Sequence, residues 1–284
     1  LRHGKTERHT IFTEHLSNGK YTFVHADSEV GLVMIVFTLP SYNLVFKVIR
    51  DTFGAPKTIS REDVISKYKL VSKHDRAGRL IDTQEFLNLK FPINRFSKEL
   101  SKELIKNASI SVRKENDNLI LKRVYVERRV RPLNLYINEY SFEEAARAII
   151  DYGEAIKDLA KTNIFPGDLL LKNFGVTQHN RIIFYDYDEV SLVTDCNFRD
   201  IPESNHIEDE MQADTWYYVG EHDIFPEEFI RFLSMNDKLK AEFMKYHKDL
   251  LTSKYWRRIK NQHLKGQALL VIPYTSHLSQ RKAF

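Results

Sequence analysis

A chain of 284 residues, 42% hydrophobic and 29% charged, is long enough to bury one large core or two modest ones and too apolar to stay disordered. Its net charge of +4, interspersed in sign, is not the footprint of a nucleic-acid-binding protein, and no apolar run reaches the ~18 residues of a membrane helix. The single cysteine, Cys196, excludes an intramolecular disulfide and suits a reducing compartment.

The sequence opens at Leu1 with a basic run, Arg2-His3-Gly4-Lys5, and reads as part of a longer protein. Gly4-Lys5-Thr6 has the ending of a phosphate-binding loop, but the first glycine and the preceding strand are missing, so no such loop is expected. Tyr21 to His25 and Gly31 to Leu39 read as strands, with the polar loop Ala26-Asp27-Ser28-Glu29-Val30-Gly31 between them. A third apolar run, Leu44 to Ile49, follows Pro40-Ser41, and three strands on short connections predict an antiparallel sheet. Residues 57–75 are charged but carry Val64, Tyr68 and Val71, the pattern of an exposed amphipathic helix. Residues 96–107 read as a second helix. Asn116-Asp117-Asn118 is a turn between two strands, the second running from Leu119 to Glu127, and Pro132 closes this part.

Ser141-Phe142-Glu143-Glu144 then starts a helix, with a capping serine and an acid three residues on. Ala145, Ile149, Tyr152, Ile156 and Leu159 continue it as an apolar stripe. A loop runs from Asn163 to Asp168, two short strands flank Gln178-His179-Asn180, and Pro226-Glu227-Glu228-Phe229 opens another helix. The basic residues Lys254, Arg257, Arg258, Lys260 and Lys265, set around Tyr255 and Trp256, read as a solvated helix face. A strand-rich part followed by a helix-rich part gives an α+β fold of two lobes, residues 1–130 and 131–284.

Chemistry concentrates in a few places. Asp168-Leu169-Leu170-Leu171-Lys172-Asn173 matches the D-L-x-x-x-N of kinase catalytic loops, where the acid accepts a hydroxyl proton and the amide holds a metal. The match is weak by itself. Thirteen residues after Asn173, the apolar run Ile182-Ile183-Phe184-Tyr185 delivers Asp186, followed by Tyr187 and Asp188. Hard oxygen ligands on firm backbone are what phosphate-bound Mg²⁺ requires. Lys47 stands in the middle of an apolar strand, where a charge is costly unless paired. Kinases use such a lysine to grip ATP phosphates; the bland alternative is an edge-strand lysine pointing to water. The glycine-rich loop of kinases is poorly matched, since only Gly31 stands in the 26–32 segment and Asp27 and Glu29 would oppose phosphate.

These residues resemble bacterial isocitrate dehydrogenase kinase/phosphatase. The likeness is carried by Asn163-Ile164-Phe165-Pro166-Gly167-Asp168, by Lys172-Asn173-Phe174-Gly175-Val176-Thr177 and by Phe184-Tyr185-Asp186-Tyr187-Asp188-Glu189. It extends to Val36-Phe37-Thr38-Leu39-Pro40, His74-Asp75-Arg76, Asp82-Thr83-Gln84-Glu85-Phe86, Val126-Glu127-Arg128-Arg129, Asn197-Phe198-Arg199-Asp200-Ile201-Pro202 and Phe225-Pro226-Glu227-Glu228-Phe229. The resemblance implies the catalytic half of the family, a two-lobed protein-kinase-like fold with an antiparallel-sheet N-lobe and a mainly helical C-lobe. It implies an enzyme that phosphorylates a serine of isocitrate dehydrogenase, removes that phosphate, hydrolyses ATP weakly, and so sets flux between the citric acid cycle and the glyoxylate bypass.

By the same resemblance, ATP with Mg²⁺ or Mn²⁺ is the cofactor. Ala26, Asp27, Ser28, Glu29, Val30, Gly31 and Leu32 form the nucleotide loop, Lys47 grips the phosphates and Glu127 lies at the hinge beside adenine. Asp168 is the kinase base, with Lys172 among the catalytic residues. Asn173 and Asp186 hold the metal, and Asp188 and Asp82 serve the phosphatase reaction. Isocitrate dehydrogenase is the expected protein partner, with AMP control residing in the family's N-terminal regulatory domain. The cytoplasm is the expected location, with no nucleic-acid or membrane partner and a homodimer as the assembly of the full-length protein. The acid paired with Lys47 is left between Glu62 and Glu85.

Two departures from ordinary kinases carry physical content. Gly167-Asp168 replaces Arg-Asp, removing the arginine that would dock a phosphorylated activation loop and pointing to control by domain arrangement. Asp186-Tyr187-Asp188 replaces Asp-Phe-Gly, and on an extended strand positions two apart face one side, so a second carboxylate is expected beside the metal acid, where it would orient water. Two other readings compete: a pseudokinase-like nucleotide-binding module, and a small-molecule kinase of aminoglycoside type. The aromatic and acidic stretch with Glu208, Asp209, Glu210, Trp216, Tyr217 and Tyr218 favours a protein substrate over a small one.

Overall fold

The computed structural model describes residues 4–18, 21–26, 31–54, 59–74, 77–202 and 217–271. The chain separates into two compact units, Leu1–Ser66 with Ile81–Arg129, and Lys67–Leu80 with Val130–Phe284.

In the first unit, helix α1 (Gly4–Asn18) precedes β1 (Val24–His25), β2 (Met34–Thr38) and β3 (Leu44–Ile49). Helix α2 (Arg61–His74) starts in this unit and ends in the other. Then come β4 (Gln84–Pro92), α3 (Lys98–Asn107), β5 (Val112–Glu115) and β6 (Asn118–Arg128). The strands form one antiparallel sheet in the order β1-β2-β3-β6-β4, with β5 also paired to β6. Alternation along the strands sends Ile35, Phe37, Phe46, Val48 and Val126 to one face, where they pack with Phe12 of α1 and Leu100 and Leu104 of α3. Phe23 stacks on Phe96 and Phe37 on Phe46, at 4.8 and 5.3 Å between ring centres. Each such buried ring contributes about 2–3 kcal/mol of apolar burial.

The three early strands, a helix within each of the segments 57–75 (Arg61–His74) and 96–107 (Lys98–Asn107), and the turn at Asn116, which takes a φ of 52°, lie where the sequence puts them, while residues 57, 58 and 75 lie outside the described residues. Two elements are additional. Helix α1 covers Gly4-Lys5-Thr6, which is therefore helix and not a phosphate loop. Among the described residues strand β4 pairs with β6 alone, and its burial follows no clean alternation, which is why its sequence lacks a strand signature.

The second unit holds β7 (Arg131–Pro132), α4 (Leu133–Glu139), α5 (Phe142–Lys161), β8 (Ile164–Phe165), β9 (Phe174–Val176), β10 (Ile182–Phe184), β11 (Ser191–Leu192), β12 (Asn197–Phe198), β13 (Asp223–Ile224), α6 (Phe229–Phe232), α7 (Asp237–His247) and α8 (Ser253–Leu264). Small sheets β10-β9-β7, β11-β8 and β12-β13 lie among the helices. The expected capping box at Ser141 and Glu144 forms, and the stripe Ala145, Ile149, Tyr152, Ile156 and Leu159 is buried. Pro226 opens a single 3₁₀ turn leading into the short α6. No helix among the described residues is long and apolar enough to cross a membrane.

Two buried polar groups fix this unit around α5. Arg79 donates from both terminal nitrogens to Asp151, from Nε to Asp158, and to the carbonyl of Ile182. It thereby ties residues 77–80 to α5 and β10. His247 of α7 is fully buried against Gly153, with Nε2 2.9 Å from the carbonyl of Ile150. Burial, helped by the Lys157 charge, pushes its pKa down to about 4.

A depressed histidine pKa makes protonation favour the unfolded chain. The contribution is therefore complete above the unfolded value of about 6.5 and is lost as pH falls from there to about 4, by about 3 kcal/mol in all. The melting temperature is expected to fall through that window in the native protein and to fall less in His247→Gln. Parallel curves for the two proteins would remove His247 as the cause.

Candidate functional site

In the first unit the site begins with Lys47. Strand β3 lies between β2 and β6, so Lys47 is on an interior strand, opposite Val36 and Tyr125. Its neighbours Phe46 and Val48 take the aromatic face, which leaves Lys47 on the other, and there it is 6% exposed. The edge-strand alternative is overturned. Nζ sits 2.7 Å from Oε2 of Glu127, itself 1% exposed. Register explains the pair: Val45 is opposite Glu127, so Lys47 and Glu127 are diagonal neighbours on one face of the sheet.

Thr83, just before β4, donates its hydroxyl to Oε1 of Glu127 at 2.8 Å, so the two carboxylate oxygens have different partners. The acid facing Lys47 is thus neither Glu62 nor Glu85. Glu62 is exposed in the first turn of α2, and Glu85 pairs with Arg123 at 2.9 Å. Tyr125, between these pairs, is pushed up to about 12 by burial and then by the Glu85 charge, so it stays a neutral phenol.

Of the expected nucleotide loop, Ala26, Gly31 and Leu32 are described, while Asp27, Ser28, Glu29 and Val30 lie outside the described residues. Ala26 N–H donates to the carbonyl of Val36, and Leu32 is 44% exposed. At Gly31 an added Cβ would lie 2.6 Å from the carbonyl oxygen of Met34, so the turn into β2 needs a residue without one. Asp82 is exposed, one residue before Thr83.

In the second unit, the 167–173 segment is held by α5. Tyr152, fully buried, donates its hydroxyl to the carbonyl of Leu169 at 2.5 Å. Burial, and after it the Asp168 charge, raise its pKa far above that of a free phenol. Asp168 is half-buried and Asn173 buried, and the Asn173 Nδ2 donates to Oδ1 of Asp168. A 3₁₀ turn over Leu171–Asn173 brings the two residues of the D-L-x-x-x-N motif together. Lys172 is exposed, and its carbonyl accepts from the Tyr185 hydroxyl.

Gly167 takes a φ of +85°, and an added Cβ would meet Cβ of Glu189 at 2.6 Å and its carbonyl oxygen at 2.9 Å. The missing kinase arginine therefore has a steric cause: the chain after Asp188 passes where a side chain at 167 would stand. Gly167→Ala is expected to destabilise the protein by about 2–3 kcal/mol, from left-handed strain plus the clash. Denaturant unfolding measures this, and a change below about 0.5 kcal/mol would refute the steric cause.

Strand β10 ends at Phe184, so Asp186 and Asp188 stand beyond the regular ladder, with Asp188 in a turn. The expectation that one strand pleat aligns the two acids is corrected accordingly. What fixes them is Tyr187, fully buried against Phe184 and edge-on to Tyr68 at 5.1 Å. Asp186 is half-buried, Asp188 is 9% exposed, and Lys67 of α2 donates to the Asp188 carbonyl at 2.5 Å.

Among the described residues, no group of three or more His, Cys, Asp or Glu side chains is arranged to hold a metal ion. Magnesium is commonly held by one or two protein oxygens plus substrate phosphates. Asn173 and Asp186 fit that mode: with the amide nitrogen committed to Asp168, the oxygen of Asn173 is the atom left for a cation.

Thr83, Tyr152 and Lys67 escaped the sequence reading. Only Tyr152 gave a signal, as one member of the α5 stripe. The basic stretch on α8 is exposed at Lys254, Arg257, Arg258 and Lys265, but it is also structural. Arg257 donates to the Phe198 carbonyl and to Asp200, Lys260 donates to the Cys196 carbonyl, and Trp256 is fully buried. Of the aromatic and acidic stretch, Tyr217 and Tyr218 are described, while Glu208, Asp209, Glu210 and Trp216 lie outside the described residues.

Residues 21–276 match the family described as the isocitrate dehydrogenase kinase/phosphatase (AceK) kinase domain. The chain is 48% identical over 273 residues to a protein of Anaeromyxobacter sp. (strain Fw109-5) named isocitrate dehydrogenase kinase/phosphatase, covering 96% of this chain and 48% of that protein. Proteins of the same name from Xanthomonas axonopodis pv. citri (strain 306) and Burkholderia ambifaria are 48% and 44% identical, over 91% and 95% of this chain and 45% of each relative. The chain spans about half the length of the curated relatives it matches.

Proposed function

The chain belongs to the isocitrate dehydrogenase kinase/phosphatase kinase-domain family, and from that membership we propose that it carries the catalytic machinery of an ATP-dependent serine kinase and phosphoprotein phosphatase acting on isocitrate dehydrogenase. In this reading the two units are the lobes of a kinase-like fold, residues 26–32 and Lys47 take the nucleotide, and the protein works in the cytoplasm at the entry to the glyoxylate bypass. AMP control and dimerisation are assigned to the full-length protein.

The observation that carries the reading is the buried Lys47–Glu127 pair. An interior-strand lysine held by a carboxylate is a costly arrangement to keep for structure alone, and it is the arrangement a phosphate grip requires. The Asp168–Asn173 contact supports it independently. Asp168 accepts the proton of the attacking serine hydroxyl, and its link to Asn173 sets its orientation. Asn173 and Asp186 would hold Mg²⁺, which when bound neutralises charge on the transferred phosphate. Asp188 and Asp82 would orient water for phosphate removal, and Lys172 would act with the base.

Labelled ATP and isocitrate dehydrogenase test the reading, with transfer to the protein and release from the phosphoprotein assayed separately on the full-length protein. Asp188→Ala is expected to lose phosphate release by roughly 10²-fold or more while retaining transfer. Loss of transfer with retained release would reverse the assignment of Asp188. Nucleotide binding without transfer to any substrate would make the chain a binding module.

A further inference from the structure

Helix α8 buries one side and presents a charged one. Tyr255, Trp256 and Ile259 are buried, and Trp256 stacks on Phe198 at 5.1 Å between ring centres. At 3.6 residues per turn, Lys254, Arg257, Arg258 and Lys265 then share the opposite side, and all four are exposed. With Asp200 they line an open cleft of about 630 Å³. The helix itself contains no acid. Like charges one turn apart, as at Lys254 and Arg258, weaken a helix, so stability alone does not favour this arrangement.

The acid in the cleft is already committed. Asp200 accepts from the Ser253 hydroxyl and, at 2.8 Å, from Nη1 of Arg257. Nε of Arg257 donates to the Phe198 carbonyl at 2.7 Å, so this guanidinium is held in place. Arg258 lies over the Tyr255 ring, 5.4 Å from its centre. The far end is set by the helix terminus: Lys265, Gly266 and Gln267 donate their N–H groups to the carbonyls of Asn261, His263 and Gln262, with Gly266 at a φ of 67°. Among the described residues no carboxylate pairs with Lys254, Arg258 or Lys265. The cleft therefore carries a surplus of positive charge on a firm backbone.

Spacing decides which anion fits. From Lys254 to Lys265 the helix rises by about 16 Å, at about 1.5 Å per residue. One phosphate group cannot reach both ends. An extended chain covers that length in about five residues, and its alternate side chains stand about 6.6 Å apart on one side. The rise from Lys254 to Arg258 is about 6 Å, a close match. We propose that this cleft docks an extended, acid-rich segment of a protein partner, with acids at every second position meeting Lys254, Arg258 and Lys265. The side-chain amides of Asn261 and Gln262, which also line the cleft, suit the backbone of such a segment. None of the lining residues is assigned to phosphate chemistry, so the inference stands apart from the kinase and phosphatase reading.

The test uses the full-length protein and a short labelled peptide with glutamate at every second position, followed by fluorescence anisotropy at low salt. The native protein is expected to bind it saturably and more weakly as salt rises. Lys254→Ala is expected to weaken binding by about two- to fivefold, and the triple variant Lys254→Ala, Arg258→Ala, Lys265→Ala by about tenfold or more. Removing the same kind of charge elsewhere, with Lys102→Ala and Lys106→Ala on α3, is expected to leave affinity within about twofold. Equal losses in the α3 variant, or equal binding of a peptide with glutamine in place of glutamate, would overturn the proposal. Tighter binding of inorganic polyphosphate or of phosphatidylserine vesicles, lost in the same triple variant, would replace the protein segment with that partner. If the native protein binds no peptide but gains binding on Glu208→Gln, Asp209→Asn and Glu210→Gln, the chain's own acids fill the cleft and the external partner is overturned.

Discussion

Asp168→Asn is expected to lower phosphotransfer by roughly 10²- to 10⁴-fold while ATP binding stays within a few-fold of native. The substitution replaces the acceptor of the hydroxyl proton with an amide that cannot take it, at nearly constant shape. The surrounding structure supplies the specificity of this expectation. The segment is held from behind by Tyr152 on the Leu169 carbonyl and by the Gly167 backbone against Glu189, and neither contact uses the Asp168 carboxylate. The Asn173 amide keeps an oxygen partner in the variant. Single-turnover transfer from labelled ATP and calorimetric ATP binding separate the two effects. A rate within about threefold of native would show that Asp168 is not the base, and loss of ATP binding would show a scaffold role instead.

Glu127→Ala is expected to destabilise the protein by about 3–5 kcal/mol and to raise KM for ATP. Lys47 is 6% exposed on an interior strand, and removing Glu127 takes away the carboxylate 2.7 Å from its Nζ. The cost is that of taking a carboxylate from a buried cation, not the net worth of the ion pair, which desolvation largely cancels. Glu127→Gln keeps an acceptor for Thr83 and a neutral oxygen near Lys47, so it should fall between. The double variant Lys47→Met with Glu127→Leu distinguishes structure from function: burial of two apolar chains is expected to restore most of the stability, whereas phosphotransfer stays lost. Denaturant unfolding and the transfer assay check this. If the double variant recovered activity, Lys47 would have no part in gripping phosphate.

Much of the architecture is a local property of the chain and could be read from it. Strands β2 and β3 announce themselves because short apolar runs rich in Val, Ile and Phe are written into a few consecutive positions. Helix α5 does so because the capping box and the stripe from Ala145 to Leu159 are both short-range patterns. The D-L-x-x-x-N spacing of Asp168 and Asn173 was legible as a motif, but the contact between the two side chains is known only from the structure.

What the chain order hides is everything that depends on register and packing between distant segments. The partner of Lys47 is 80 positions away and is selected by the diagonal that β3 makes with β6, so Glu62 and Glu85, nearer in sequence, were the wrong acids. The placement of Asp188 follows from where β10 stops and Tyr187 finds the core, not from pleat alternation. Gly167 reads as a lost arginine in sequence and as a steric necessity in space, because Glu189 occupies the volume. The sequence by itself therefore determined the element types, the loop spacing and the residue types of the site. The tertiary structure decided which charges meet, because pairing across a sheet is fixed by register, a property no single strand carries.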